Sequence, residues 1–172
     1  MTEYKTFETE RLIIKPTFEE DAEFIFELLN SPNWLKYIGN RNVTSIESAR
    51  EYIKLKMLPQ FERLGFGNYT VIRKSDQAKM GVCGFYDRDG LDGLDIGFAF
   101  LQKYEGKGYG FESANKLKQV AFTEFGITEI VAITTQDNTA SQKLLEKLGL
   151  TLIGTTKIPN DNEELLLYKI SK

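Results

Sequence analysis

The stretch EGKGYGFESANKL, residues 105–117, sets glycines at 106, 108 and 110 and then runs directly into a segment of helical character. A backbone this bare lets its amides approach a ligand closely. The positive end of the helix that follows adds to the unpaired N–H groups at its mouth, so the combination favours an anion, phosphate above all. Two common phosphate loops do not fit. A dinucleotide fingerprint requires glycine where Phe111 or Ser113 stands, and no βαβ unit opens a parallel sheet here. A nucleoside triphosphate loop requires a hydroxyl after its lysine, and Lys107 is followed by Gly108. Taken alone, the loop is equally well read as a glycine-rich turn joining strand to helix.

Working outward, Ala114, Leu117, Val120, Ala121 and Phe125 form a helical stripe that Gly126 ends. Upstream, 68–74, 79–87 and 94–101 read as strands separated by turn residues, an antiparallel meander. RLIIK at 11–15 is a further strand. Thr17 with Glu20 spells a capping box for a helix reaching about Asn30, and Thr44 with Glu47 spells another for a helix toward Leu64 that Pro59 kinks or divides. EIVAITT at 129–135 is a strand, 137–149 a short helix stopped by Gly149, and two strands follow around PNDN. The order is βααβββαβαββ, an α+β (mixed α/β) arrangement in one domain spanning 1–172.

With 41% hydrophobic and 27% charged residues, the 172-residue chain has the composition of a globular protein. Its net charge of -3 supplies no basic field, so no nucleic-acid partner is expected. No apolar run suggests a leader or membrane span, and the reading is a cytoplasmic protein without membrane contact. Cys83, the single cysteine, sits in the apolar run MGVCGF and reads as a buried strand residue. The chain has no histidine, which removes imidazole bases and the common zinc sites, and no metal is expected.

The ordered set DIGF (95–98), EGKGYG (105–110), AFTEFGI (121–127) and DNTASQKLLEKLGL (137–150) resembles the GNAT superfamily of acetyl-CoA-dependent N-acetyltransferases. With ETERLIIKP and the strand pair GNYTVIRK and KMGVCGF, it is similar to the branch containing the RimJ/RimL ribosomal-protein N-terminal acetyltransferases. The resemblance implies a mostly antiparallel twisted sheet with one splayed strand, and acetyl-CoA as co-substrate.

It also implies roles for particular residues. Glu105, Gly106, Lys107, Gly108, Tyr109 and Gly110 correspond to the loop that wraps the coenzyme pyrophosphate, with Phe111 in the turn that follows. Glu105 departs from the pattern; its carboxylate is expected to point outward while its N–H still binds. Phe98, Phe100 and Leu101, on the splayed strand, are candidates for contact with the pantetheine arm. Asn138 matches an asparagine that binds this arm, and Ser141 a hydroxyl near the thioester sulfur; both residue types also suit a helix start. Lys143 and Lys147 could meet the ribose phosphate or simply be solvated.

Acetyl transfer needs a neutral amine, a stabilised oxyanion and a proton for the thiolate. Without histidine, a carboxylate is the natural base, and the resemblance puts Asp95 at the acidic position of the family's strand motif, with Ser141 as the candidate acid; Asp95 is equally well read as a turn-end aspartate of DGLDGLD with no catalytic duty. The resemblance implies that the first two helices form one wall of the acceptor cleft, which makes Trp34, Tyr37, Phe66 and Tyr86 candidates for it, although aromatics at such spacing are more often core residues. The acceptor is a protein N-terminus or a small-molecule amine, and a homodimer is plausible from the branch. Two alternatives remain open: a non-catalytic acyl-CoA-binding module of the same fold, and transfer of another acyl group.

Overall fold

The computed structural model describes residues 4–172. Eight strands make one sheet: β1 (Phe7–Glu8), β2 (Leu12–Pro16), β3 (Asn68–Arg73), β4 (Lys79–Tyr86), β5 (Leu94–Phe100), β6 (Glu129–Thr134), β7 (Thr151–Thr156) and β8 (Leu165–Ser171). Their spatial order is β1-β2-β3-β4-β5-β6-β8-β7. All neighbours are antiparallel except β5 and β6.

That exception creates the principal cleft. Strand β4 follows β5 through six residue pairs, from Tyr86↔Asp95 to Gly81↔Phe100. Strand β6 meets β5 only at Leu94↔Ile130 and Asp95↔Val131. Beyond Asp95 the two strands part, as the splayed-strand expectation requires, and one edge of β5 is left without a strand partner.

Two apolar clusters cover the sheet. Helix α5 (Tyr109–Thr123) buries Ala114, Leu117, Val120 and Ala121 in a cluster with Ile14, Val71, Met80 and Ile130. Full burial of a leucine such as Leu117 is worth about 1.5–3 kcal/mol. Helix α6 (Thr139–Lys147) adds Leu145 to the same cluster. The second cluster takes Val82 and Leu101 together with α1 (Ala22–Leu29), α2 (Pro32–Tyr37) and α3 (Ile46–Tyr52). Helix α3 continues through a π-helical turn, Ile53–Met57, into α4 (Leu58–Leu64).

The N-terminal helices depart from the sequence reading in three ways. The Thr17–Glu20 box does not form: Thr17 Oγ1 is buried 2.7 Å from Thr70 Oγ1, and Glu20 pairs with Lys15 at 2.8 Å. Asp21 caps the turn instead, accepting from the Phe18 N–H at 3.1 Å. The second box lies one residue further along, where Ser45 and Ser48 exchange backbone-to-hydroxyl bonds of 3.0 and 2.9 Å while Glu47 pairs with Arg50. Finally, α2 is an additional helix, opened by Pro32 in its first turn, where the missing N–H costs nothing. Pro59 divides the long helix as expected. Just before it the Leu58 N–H reaches back to Ile53 O, the wider spacing of a π turn.

Candidate active site

The parting of β5 and β6 opens a cleft of about 1220 Å³, bounded by β5, the loop before α5, the start of α6 and the N-terminal helices. At one end lies the glycine loop. Gly106 and Gly108 hold φ of 74° and 84°, a left-handed backbone that a side chain would strain. Gly110 turns its bare Cα toward α6, where an added Cβ would meet Leu144 Cδ2 at 3.4 Å. Among the described residues, the N–H groups of Gly106 through Phe111 donate to no protein acceptor. Six free donors at the mouth of a 15-residue helix form a strong anion-binding surface.

The loop is fixed from behind by residues the sequence reading passed over. Arg11 Nε pairs with Glu112 Oε1 at 3.0 Å, and its Nη1 donates to Lys107 O at 3.0 Å. The same guanidinium lies 4.4 Å from the Tyr109 ring centroid, and the Thr9 hydroxyl donates to Glu112 at 2.8 Å. Arg73 donates to the Tyr109 hydroxyl at 3.3 Å. Glu112 is an acid in the first turn of α5, but these partners draw it to the back of the loop.

Two loop expectations need correction. The Glu105 N–H is not free, since it donates to Gln102 O at 3.1 Å; its exposed carboxylate accepts from Asn33 Nδ2 at 2.9 Å, and both residues line the cleft. Lys107 is exposed and does not line the cleft; its carbonyl serves as the anchor for Arg11.

Along the cleft, Phe98 and Phe100 face the α5 side of β5 and are partly buried. Leu101 does not line the cleft: it is 6% exposed within the helical cluster, its N–H bonded to Met80 O. At the far side, Asn138 caps α6, accepting from the Ser141 N–H at 3.2 Å, so its Nδ2 remains available. Asn138, Ser141, Lys143 and Lys147 all line the cleft. Lys147 Nζ sits 4.3 Å from the Phe111 ring centroid.

Asp95 lies where the strands part. It is 2% exposed and paired with Arg88. Burial pushes its carboxyl up to about 6, against the opposing pull of Arg88. Cross-strand from it, Tyr86 donates its hydroxyl to Asn68 Oδ1 at 2.6 Å, and the Arg88 guanidinium lies 5.4 Å from the Tyr86 ring. A side chain at Gly97 would crowd this ring, because an added Cβ would stand 2.8 Å from Tyr86 Cε2.

Trp34, Tyr37 and Tyr86 line the cleft. Phe66 does not; it stacks on Phe125 at 4.9 Å in the core. Trp34 Nε1 and Thr135 Oγ1, buried atoms of two lining residues, have no hydrogen-bond partner among the described residues. Thr135 carried no signal in the sequence beyond ending a strand. Among the described residues no cluster of carboxylates and cysteine could hold a metal, and no helix is long and apolar enough to cross a membrane.

Comparison with known proteins agrees with this geometry. Residues 11–151 match the family model described as an acetyltransferase (GNAT) domain. The uncharacterized N-acetyltransferase p20 of Bacillus licheniformis is 31% identical over 147 residues, covering 84% of this chain and 82% of its own. A GNAT-family acetyltransferase structure from Bacillus anthracis superposes with a TM-score of 0.79 at 27% identity, covering 97% of this chain and 98% of the other. RimL, a ribosomal L7/L12 alpha-N-protein acetyltransferase solved with coenzyme A, shares the fold with a TM-score of 0.83 at 19% identity over 97% and 98% of the two chains. With the splayed strand and glycine loop in place, the chain belongs to the GNAT family of acetyltransferases.

Proposed function

We propose that the protein transfers the acetyl group of acetyl-CoA to a primary amine by direct attack in a ternary complex, in the cytoplasm. The observation that carries this reading is the coincidence of two unsatisfied surfaces in one cleft: the free amides of the lining residues Gly106, Gly108, Tyr109, Gly110 and Phe111, and the unpaired edge of β5. The first suits a pyrophosphate. The second suits an extended, amide-bearing arm that adds to the sheet as a strand would. Asn138 Nδ2 and the orphan Thr135 hydroxyl supply further polar contacts at the far wall.

The chemistry follows from placement. A thiolate is a good leaving group, with an ordinary thiol pKa of about 8.5, so positioning carries much of the rate. Asp95 accepts the proton of the attacking amine directly or through water, and Ser141 supplies one to the departing sulfur. Backbone N–H groups near Phe98 and Ala99 polarise the thioester carbonyl. The acceptor is a protein N-terminus or a small-molecule amine.

The test is release of free thiol from acetyl-CoA across a broad panel of amines, with heat of acetyl-CoA binding measured in parallel. Amine-dependent thiol release is expected. Binding without release from any amine would refute transfer and leave a binding module, whereas turnover with succinyl-CoA and not acetyl-CoA would refute the acyl group.

A further inference from the structure

Behind the acceptor wall runs a line of polar side chains where apolar ones would cost less to bury. Thr17, Asp21, Asn68 and Thr70 are all at most 4% exposed. They form one continuous chain. Asp21 Oδ1 stands 2.6 Å from Lys79 Nζ, and its Oδ2 accepts from the Thr70 hydroxyl at 3.2 Å. Thr70 Oγ1 lies 2.7 Å from Thr17 Oγ1, which accepts from Asn68 Nδ2 at 2.8 Å. Asn68 Oδ1 accepts from the Tyr86 hydroxyl at 2.6 Å, and Tyr86 lines the cleft.

The chain has a direction. A carboxylate only accepts, so Thr70 must donate to Asp21 and is left to accept from Thr17. Thr17 therefore accepts from the amide end of Asn68, which turns the carbonyl end toward Tyr86. Tyr86 must then donate to Asn68, and its oxygen keeps lone pairs that, among the described residues, no protein donor fills. Burial also holds this hydroxyl well above its ordinary titration range, so it stays a neutral phenol. Its cross-strand neighbour is Asp95, whose carboxylate is a second acceptor on the same face of the sheet.

We propose that Tyr86 orients the attacking amine by accepting one of its N–H groups, with Asn68, Thr17, Thr70 and Asp21 as positioning residues that keep the Tyr86 proton committed to Asn68. This rests on the acetyl-transfer reading. A neutral primary amine has two N–H groups and one lone pair. With one N–H on Tyr86 and the other on Asp95, the lone pair is left to attack the thioester carbon; nitrogen gains the carbonyl carbon, sulfur leaves with the C–S electron pair, and the amine proton passes to Asp95. A secondary amine has one N–H and cannot satisfy both acceptors. The site is thus built to prefer primary amines.

The experiment compares wild type, Tyr86→Phe, Thr70→Val and Thr70→Ser. Thiol release is followed with propylamine and with N-methylpropylamine, and the Tyr86 resonance is followed by NMR on protein carrying ζ-13C tyrosine. The expected result is a loss of about tenfold in kcat/KM for propylamine in Tyr86→Phe and Thr70→Val, with little change for N-methylpropylamine. Thr70→Ser keeps wild-type selectivity, and the Tyr86 resonance moves in Thr70→Val only. Equal losses on both amines, or no rescue by serine, would reduce the chain to packing and overturn the proposal. An unmoved Tyr86 resonance in folded Thr70→Val would overturn it without any turnover measurement. If wild type binds acetyl-CoA but releases thiol with no amine, the transfer reading itself fails, and the resonance still decides whether the chain sets Tyr86.

Discussion

Replacing Arg88 by glutamine should move the acidic limb of the pH–rate profile toward alkaline pH. Asp95 is enclosed where β5 and β6 part, and burial raises its carboxyl from 3.8 to about 6 even with Arg88 beside it. A full charge at hydrogen-bond range in a medium of effective dielectric about 20 is worth about 4 kcal/mol, or about three pH units on the carboxyl. The Arg88 side chain is 34% exposed, and solvent screening at such a position reduces this to about one to two. In Arg88→Gln the limb should therefore appear at about 7–8, and kcat/KM near pH 6.5 should fall roughly tenfold while the rate at high pH stays close to wild type. The assay is thiol release at subsaturating amine, with Asp95→Asn in parallel. The acceptor amine titrates too, but its limb does not move with Arg88 and survives Asp95→Asn. A profile that does not shift in Arg88→Gln, or an acidic limb near 6 that persists in Asp95→Asn, would refute Asp95 as the base.

The same carboxyl sets a stability trend, and three further substitutions test the framework around the cleft. Because the folded pKa of Asp95 is raised, the native state binds the extra proton between about 4 and 6, so this group stabilises the fold at low pH and its contribution is lost as pH rises through about 6. The cost above that window is on the order of 3 kcal/mol, and urea titrations of wild type and Asp95→Asn across pH 4–8 should converge at the acidic end. Gly97→Ala pushes a Cβ to 2.8 Å from Tyr86; overpacking of about 1–3 kcal/mol should be relieved by tilting the ring, lowering amine kcat/KM while leaving acetyl-CoA affinity unchanged by calorimetry. Arg11→Gln removes the tie to Lys107 O and Glu112 and should weaken acetyl-CoA binding by about three- to tenfold with an unaltered amine preference; unchanged affinity would mean that the loop holds its shape unaided. Gly84→Ala sets a Cβ 2.3 Å from Gly67 O, a backbone atom that cannot step aside; a melting temperature equal to wild type would contradict the close approach.

Features fixed by local chemistry were legible in the chain. The glycine loop, the α5 stripe and the three-strand meander each announce themselves within a dozen residues, and the structure keeps them within a residue or two of the expected ends. What went astray depends on distant partners. Thr17 followed by Glu20 is a sound capping signal, but Thr17 is claimed by Thr70, 53 residues away, and Asp21 takes over the cap. Helix α2 is absent from the sequence reading, which stops its first helix at about Asn30, although Ser31 stands at the N-cap of α2 and Pro32 opens it.

At the site the division is the same. The glycines and Asn138 stand in a recognisable pattern, so their positions could be named in advance. Arg11 supports the loop only because β2 passes behind it, 101 residues from Glu112 in the chain. The direction of the Tyr86 hydroxyl is likewise a property of five side chains from four segments, and no local window contains it.

The most direct test of the account is calorimetric titration of acetyl-CoA into wild type and into Gly106→Asp. Gly106 has open space around its Cα, so aspartate adds a carboxylate beside the free amides with only the left-handed backbone strain of about 1–2 kcal/mol. The account predicts saturable one-to-one binding by wild type and its loss in a variant that remains folded by circular dichroism. Equal binding by both proteins, or none by folded wild type, would contradict the assignment of the glycine loop to the coenzyme pyrophosphate.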